Sequence, residues 1–343
     1  MKGTVIVLGT VNGRELAAYL VDGRLADLAL APEGFGPGAI LRGRVGRPVK
    51  GLGGAFVDLP DGQRGFLRQT RGLSPGKPVL VQIAGVTEPG KALPLSTRIL
   101  VKGHYAILTP AAPGINVSRQ IRDPELRAVL TETAEAALKG ADPDLGLILR
   151  SACDDAALAD IAAEATELRV LAETICADIE GPPQLLLDAP SPRDLAWRDW
   201  PAPDLLDDSP EALDHQGVRD ALDALVRPEV PLPGGASMAI EPTRALIAVD
   251  VNTGTDTSPA AGLKAAIAAA RELPRQLRLR GLGGQVVIDF APFPKRDRAA
   301  LEQVLSKAFR GGAETTLAGW TPLGNFELQR KRDRTPLSEW LAQ

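Results

Sequence analysis

Cysteine, histidine and aromatic residues are all scarce. Among 343 residues there are two cysteines, Cys153 and Cys176, and two histidines, His104 and His215. The thiols lie far apart in sequence and form no CxxC pair, so neither a disulfide framework nor a cysteine-ligated zinc site has material to build on. They read as ordinary thiols of a reducing cytoplasm, which is the expected location. Two histidines leave little for a histidine-rich metal centre or a Ser/His triad. No run of about 18 apolar residues occurs, so no membrane span is expected. The opening MKGTVIVLGTVNGREL breaks at Asn12-Gly13-Arg14 in the manner of a strand and turn, not of a signal peptide.

Net positive charge is also lacking: the formal charge is −4, which on its own argues weakly against a polyanionic partner. The distribution of charge points the other way. Residues 177–215 hold ten Asp/Glu against two Arg, whereas residues 1–101 carry 13 Lys/Arg against 7 Asp/Glu and residues 264–343 carry 14 against 8. Both ends are basic and the middle is acidic, and it is the local field that governs phosphate binding.

What is present is a globular composition, 44% apolar and 24% charged, long enough for two or three domains. Residues 1–36 read as two short strands, TVIVLG and LAAYLVDG, closed by the Gly/Pro-rich GFGPG joint. From 39 to about 101, five short β-runs separated by glycine turns predict a small barrel, with Arg42, Arg44, Arg47 and Lys50 decorating its first run. DPELRAVLTETAEAAL predicts a helix capped by Asp123 with Pro124 in its first position. A buried strand, LGLILRSA, and a long Ala/Leu helix follow. Residues 182–210 contain seven prolines and many aspartates and read as a loop-rich connection. From 231 onward, apolar strands alternate with helices, which predicts a covered α/β sheet, with a kink or restart at Pro274.

Two of those strands end in aspartate. ALIAVDVNTG carries Asp250 and QVVIDF carries Asp289. If the strands are neighbours, two carboxylates meet at one end of the sheet, where α/β ligand sites form. Two bare carboxylates repel, and a divalent cation resolves the conflict: Mg²⁺ takes one or two carboxylates, keeps several waters and accepts phosphate oxygen. Asn252 shares the face of Asp250 because strand side chains alternate, and its amide could orient a water or a phosphate oxygen. The chemistry that follows is phosphodiester hydrolysis. Against it stands the ordinary use of a strand-end Asp as a cap or turn former.

PLPGGASMAIEPTRALIAVDVNTG, ARELPRQLRLRGLGGQVVIDF and PLGNFELQRKR together resemble the catalytic region of the ribonuclease E/G family. GAILRGRV, GAFVDL, GFL and VLVQI resemble its OB-type RNA-binding domain, and GINVSRQI and GLILRSA its 5′-end sensor region. The resemblance spans nearly the whole chain and is weakest at about 155–230. It implies a mixed α/β multidomain fold: a ribonuclease-H-like and deoxyribonuclease-I-like α/β catalytic region with an inserted OB-fold β-barrel and a 5′-sensor subdomain. The implied parts are residues 1–36, N-terminal strands of the ribonuclease-H-like part; 37–101, the OB fold; 102–183, the 5′ sensor; 184–230, a shortened ribonuclease-H-like part with the acidic Pro-rich linker; and 231–343, the deoxyribonuclease-I-like catalytic domain.

The same resemblance implies residue roles. Asp250 and Asp289 match the family's Mg²⁺-binding aspartates, with Mn²⁺ an alternative, and Asn252 its active-site asparagine. Arg150 and Ser151 match an Arg-Thr pair that grips a 5′-monophosphate. Phe56, Phe66 and Lys91 match RNA-contacting residues of the OB domain; simple barrel core is the competing reading for both rings. Arg119 matches a basic residue beside the sensor and Arg330 one near the catalytic site. The sequence departs from the family in lacking the CPxCxGxG-type zinc-link segment after RKR, and Arg119-Gln120 stands where the family has two arginines. No zinc is expected, and a homodimer would have to form without a zinc link. The expected function is a Mg²⁺-dependent endoribonuclease acting on single-stranded RNA in ribosomal RNA processing and messenger decay, stimulated by a 5′-monophosphate. A non-catalytic single-stranded RNA-binding protein on the same scaffold and a small-molecule phosphatase remain alternatives.

Overall fold

Two tight turns build the N-terminal sheet. Asn12-Gly13 and Asp22-Gly23 all have positive φ, 53°, 76°, 50° and 73°, the mirror-image turn geometry that matches strand twist. They join the strands Thr4–Val11, Arg14–Val21 and Arg24–Leu30, so the segment holds three strands, not two. A fourth, Leu205–Asp207, adds in parallel beside Thr4–Val11. The computed structural model describes residues 2–88 and 90–342, and the chain divides into two compact units. One comprises Met1–Ala31, Ser191–Ala196 and Ala202–Gln343; the other Pro32–Pro190 and Trp197–Pro201.

In the first unit a six-stranded sheet is ordered Glu229–Pro231, Ser237–Pro242, Ile247–Asn252, Gly284–Asp289, Phe326–Arg330, Thr315–Trp320. Ile247–Asn252 and Gly284–Asp289 run parallel, joined by the crossover helix Ala261–Leu279; the other pairings are antiparallel. One face, with Met238, Ile240, Val249, Val286, Ile288, Phe326 and Leu328, is buried with helix residues Ala265, Ala269, Leu273, Leu301 and Leu305. The expected cover is present on that face alone. IAVDVN and GQVVID alternate in burial along their length, so one face stays open. Val287 on the open face makes the second run read as continuously apolar.

The helix Ala261–Leu279 passes through Pro274 as one element, so of the expected kink or restart the restart does not occur. It is buried nearly all round because its other side meets the N-terminal sheet. Arg275 and Arg278 donate to the carbonyls of Leu25 and Ala26, and Arg24 pairs with Glu272. The C-terminal helix Leu337–Ala342 anchors the same region: buried Trp340 donates its indole N–H to Ala31 O at 2.9 Å, and the Arg14 guanidinium stacks on its ring.

In the second unit the strands Ile40–Val49, Gly54–Asp58, Arg64–Leu67, Leu93–Ser96 and Pro78–Ile83 pair in that order and close back on the first, a five-stranded barrel consistent with an OB fold. Arg42 does not decorate this barrel's surface. It is 3% exposed and bonds to Pro182 O, Gln184 Oε1, Asp178 O and the Asp178 carboxylate, thereby fixing the strand Gln184–Leu187 against Ile40–Val49. A separate four-stranded sheet, Gly114–Val117, Gly146–Leu149, Ala106–Thr109 and Val101–Lys102, packs beneath the helices Pro124–Ala137 and Leu158–Ala177. Asp123 caps the first of these as expected, accepting from Glu125 N–H at 2.9 Å. The Pro-rich stretch is more ordered than a bare loop: besides its two strands it contains the helix Pro192–Asp199.

Candidate functional sites

Asp250 and Asp289 are register partners on the two parallel strands. Adjacent strands lie about 4.8 Å apart, so the two carboxylates rise side by side from the open face. Both are exposed, and neither is paired with a Lys or Arg among the described residues. Asn252, two residues further on the same face, donates its Nδ2 to Asp250 Oδ2 at 2.7 Å. The three residues singled out in the sequence are therefore brought together. Gly254 seats the loop that follows: its φ is +62°, and a Cβ there would lie 2.1 Å from Gly235 O, so DVNTG can close against the PGG turn only with glycine at that position. Behind Asp289, Phe290, Phe293, Trp320 and Phe326 form an aromatic cluster with ring centroids 5.2–6.4 Å apart, which fixes that strand end.

The donor set suits a hard cation. It offers carboxylate and amide oxygens, lacks a third acidic or sulfur ligand among the described residues, and leaves room for water and phosphate. An uncompensated carboxylate pair open to solvent is the feature such an ion would neutralise.

Arg330 does not join this group. Its strand alternates Phe326, Leu328 and Arg330 toward the helices, so the side chain lies under the opposite face, 3% exposed, with its Nε bonded to Leu282 O. There it lines a pocket of about 100 Å³ with Arg278, Arg310 and the Gly311-Gly312 turn. Burial lowers its pKa, opposed in part by Asp333. Arg330, expected near the catalytic site, thus sits on the face opposite the aspartates.

On the barrel, Phe56 and Phe66 are paired across two strands with rings 5.4 Å apart, edge to face. Their chain neighbours Ala55, Val57 and Leu67 fill the interior, so both rings sit half-buried on the outer surface and the barrel-core reading is set aside. Lys91 is exposed and pairs with Glu88, an ion pair of little energetic consequence at the surface.

The segments that carry Arg119 and the Arg150-Ser151 pair leave the same end of the four-stranded sheet. Val117 is in register with Leu149, and Ser118 N–H bonds Leu149 O, so the two chains leave the sheet side by side. Arg127, absent from the sequence-based expectations, pins the Arg119 loop by donating to Ser118 O and Ile121 O. Arg150 is already engaged: Nη1 donates to Gly103 O and Arg198 O, and Nη2 pairs with Asp199 at 2.8 Å. Asp199 also takes Arg198 at 2.7 Å. Burial alone would raise the Asp199 pKa, but Arg198 and Arg150 outweigh it and hold the carboxyl below its ordinary value. Neither thiol is poised for catalysis; burial pushes Cys153 up to about 11, and Cys176 is also raised by burial.

The fold and this carboxylate pair define a multidomain α/β protein with a closed β-barrel and an open, acid-bearing sheet face. Residues 101–206 and 201–333 match the model of the ribonuclease E/G family, and the chain belongs to that family. It is 28% identical to a protein named Ribonuclease E from a Nostoc species, covering 93% of this chain and 54% of that one. It is 28% identical to Ribonuclease E of Escherichia coli, covering 97% and 37%, and 26% identical to Ribonuclease G of Salmonella typhimurium, covering 89% and 74%. The chain thus spans about half the length of the cyanobacterial relatives it matches.

Proposed function

We propose that this chain is an endoribonuclease that cleaves single-stranded RNA, with Mg²⁺ or Mn²⁺ held between Asp250 and Asp289. The observation that carries the reading is the register of those two aspartates on the open sheet face, with Asn252 beside them, in a member of the ribonuclease E/G family. A bound cation there would neutralise charge on the phosphate and lower the pKa of water. The protein's own groups do the rest. The aspartates supply the anionic seat. Asn252 spends one amide N–H on Asp250, which fixes that carboxylate, and keeps the other for a phosphate oxygen or a water.

Phe56 and Phe66 offer a surface on which unpaired bases stack, Lys91 neutralises a phosphate, and Arg119, Arg150 and Ser151 meet a 5′-monophosphate. The ribonuclease-H-like reading of the N-terminal sheet, the division of the chain into family domains, cytoplasmic action in ribosomal RNA processing and messenger decay, and a homodimer without a zinc link belong to the same proposal.

The test is incubation of a 5′-monophosphorylated, single-stranded, A/U-rich RNA with the protein, with Mg²⁺ and with EDTA. Cutting in Mg²⁺ alone is the expected result; tight binding without cutting under both conditions would instead make the chain an RNA-holding protein. Phe56→Ala and Phe66→Ala are each expected to weaken single-strand binding by about 1–3 kcal/mol. Lys91→Ala should lower the slope of log affinity against log salt by about one. Anisotropy titrations across a salt series read both, and unchanged affinity in the Phe variants would remove the rings from the RNA path.

A further inference from the structure

Arg330 is a buried cation with no ion-paired carboxylate among the described residues. Its side-chain hydrogen bond there is Nε to Leu282 O at 3.2 Å. A guanidinium has five N–H donors, so those on Nη1 and Nη2 lack a protein acceptor. They are not sealed inside the protein; they face the recess of about 100 Å³ behind the sheet. Three elements bring arginines to it: the helix Ala261–Leu279 supplies Arg278, the turn after Arg298–Ala308 supplies Arg310, and Phe326–Arg330 ends there. Arg310 is exposed at the rim and has no ion pair among the described residues. Arg278 gives Nη2 to Ala26 O and lies 3.6 Å from Asp27 through Nε, a nitrogen that makes no hydrogen bond. Asp27 and Asp333 are the carboxylates that act on Arg330, and Asp27 is also held by Arg334. Four guanidiniums thus stand against two carboxylates. Each of the two helix C-termini adds about half a negative charge, and the recess stays positive. A cation taken out of water without a counter-charge is costly, and an anion in contact offsets that cost.

We propose that Arg278, Arg310 and Arg330 form a binding site for a compact phosphate group, either inorganic phosphate or the phosphate of a small monoester. Donors converge from three directions, which suits a tetrahedral oxyanion, whereas one guanidinium fork already satisfies a planar carboxylate. A phosphate monoester carries about −1.5 to −2 near neutral pH, so it gains more here than a singly charged anion does. The recess has the volume of a few waters, enough for the phosphate group and too little for a nucleoside. The rest of an ester stays outside, past Arg310. The inference is independent of the RNA reading, because the recess lies on the helix-covered face, opposite the aspartates. Arg330 is the register partner of both Gly284 and Thr315, and its Nε holds Leu282 just before Gly284–Asp289 begins. An anion bridging Arg330 to Arg278 and Arg310 therefore ties the strand that carries Asp289 to the ends of both covering helices, and leaves the open face free.

The test is hydrogen exchange of the full chain titrated with sodium phosphate, against sodium acetate and sodium chloride at matched ionic strength. The amides of Gly311, Gly312 and Ala313 should slow saturably in phosphate, at concentrations about tenfold below any effect of acetate. Reading the amides of the recess itself keeps phosphate bound elsewhere on the chain out of the result. Arg310→Ala should raise the phosphate concentration for half-protection about tenfold, and Arg310→Lys should recover part of that loss. Arg310 is exposed, so neither change threatens the fold. Adenosine 5′-monophosphate titrated beside inorganic phosphate separates the sources: half-protection at equal or lower nucleotide concentration assigns the site to a monoester, and at lower inorganic phosphate to the free ion. Equal protection in chloride, acetate and phosphate would mean that salt merely screens the arginines, and no protection in any would mean that the recess holds water; either overturns the proposal. So does phosphate protection that Arg310→Ala leaves unchanged. The RNA reading stands or falls separately, on cleavage.

Discussion

Asp250→Asn and Asp289→Asn should each slow RNA cleavage by about a thousandfold or more while leaving binding in EDTA within about twofold. The expectation follows from register. The two carboxylates sit opposite one another on adjacent parallel strands, so a cation held between them would draw on both, and removing either charge would halve the anionic seat. Folding should not suffer. Both side chains are exposed, Asn is nearly isosteric with Asp, and surface substitutions of this kind change stability by about 0.5 kcal/mol or less. Loss of cleavage would therefore report on chemistry. Asn252→Ala should cost less, about tenfold, because its amide orients the Asp250 carboxylate without contributing charge. Excess Mn²⁺ should restore part of the activity of Asp250→Asn if weakened cation affinity is the defect. Full cleavage by either Asp variant would show that the pair is not the reactive centre.

The aspartates were legible in the sequence because strand alternation and a shared end of two strands are local rules. ALIAVDVNTG and QVVIDF put both carboxylates and Asn252 on one face once the strands are neighbours, and the structure makes them so. The same alternation, followed through FELQR, places Arg330 on the other face; that requires seeing FELQR as a strand, which its setting in a basic tail obscured. Asn12-Gly13 announced one hairpin, and Asp22-Gly23 carried the same signal for the next. Closure of the barrel was implied by five short runs, but the outward direction of Phe56 and Phe66 depends on which residues fill the interior. What the sequence could not display is pairing across long separations. Arg42 meets Asp178 and Gln184, and Arg150 meets Asp199 within a stretch that reads as an acidic, proline-rich linker. Its aspartates read as bulk negative charge, yet at least one has a specific cationic partner.

Glu164→Ala should destabilise the unit that contains it by about 3–5 kcal/mol, because it leaves three backbone donors without their acceptor. Glu164 lies on the helix Leu158–Ala177 and reaches the loop between Val101–Lys102 and Ala106–Thr109. Its Oε1 accepts from Tyr105 N–H at 2.7 Å and Ala106 N–H at 2.9 Å, and its Oε2 accepts from His104 N–H at 2.9 Å. The approach is close enough that a Cβ on Gly103 would lie 2.4 Å from Glu164 Oε1, so Gly103→Ala should act in the same direction. Glu164→Gln keeps the shape but replaces one acceptor oxygen with a donor and removes the charge, and about half the effect is expected. With two compact units the unfolding need not be two-state, so hydrogen exchange is the measurement to use. Protection of the His104, Tyr105 and Ala106 amides should collapse in the Ala variant while the amides of Ile247–Asn252 keep theirs. The same loop supplies Gly103 O to Arg150. Loss of this staple should therefore also blur discrimination between phosphorylated and hydroxylated RNA ends, without altering cleavage of a strand that is already bound. Unchanged protection in Glu164→Ala would mean that the loop is held by its strands alone, and the coupling between helix and RNA-end site would be withdrawn.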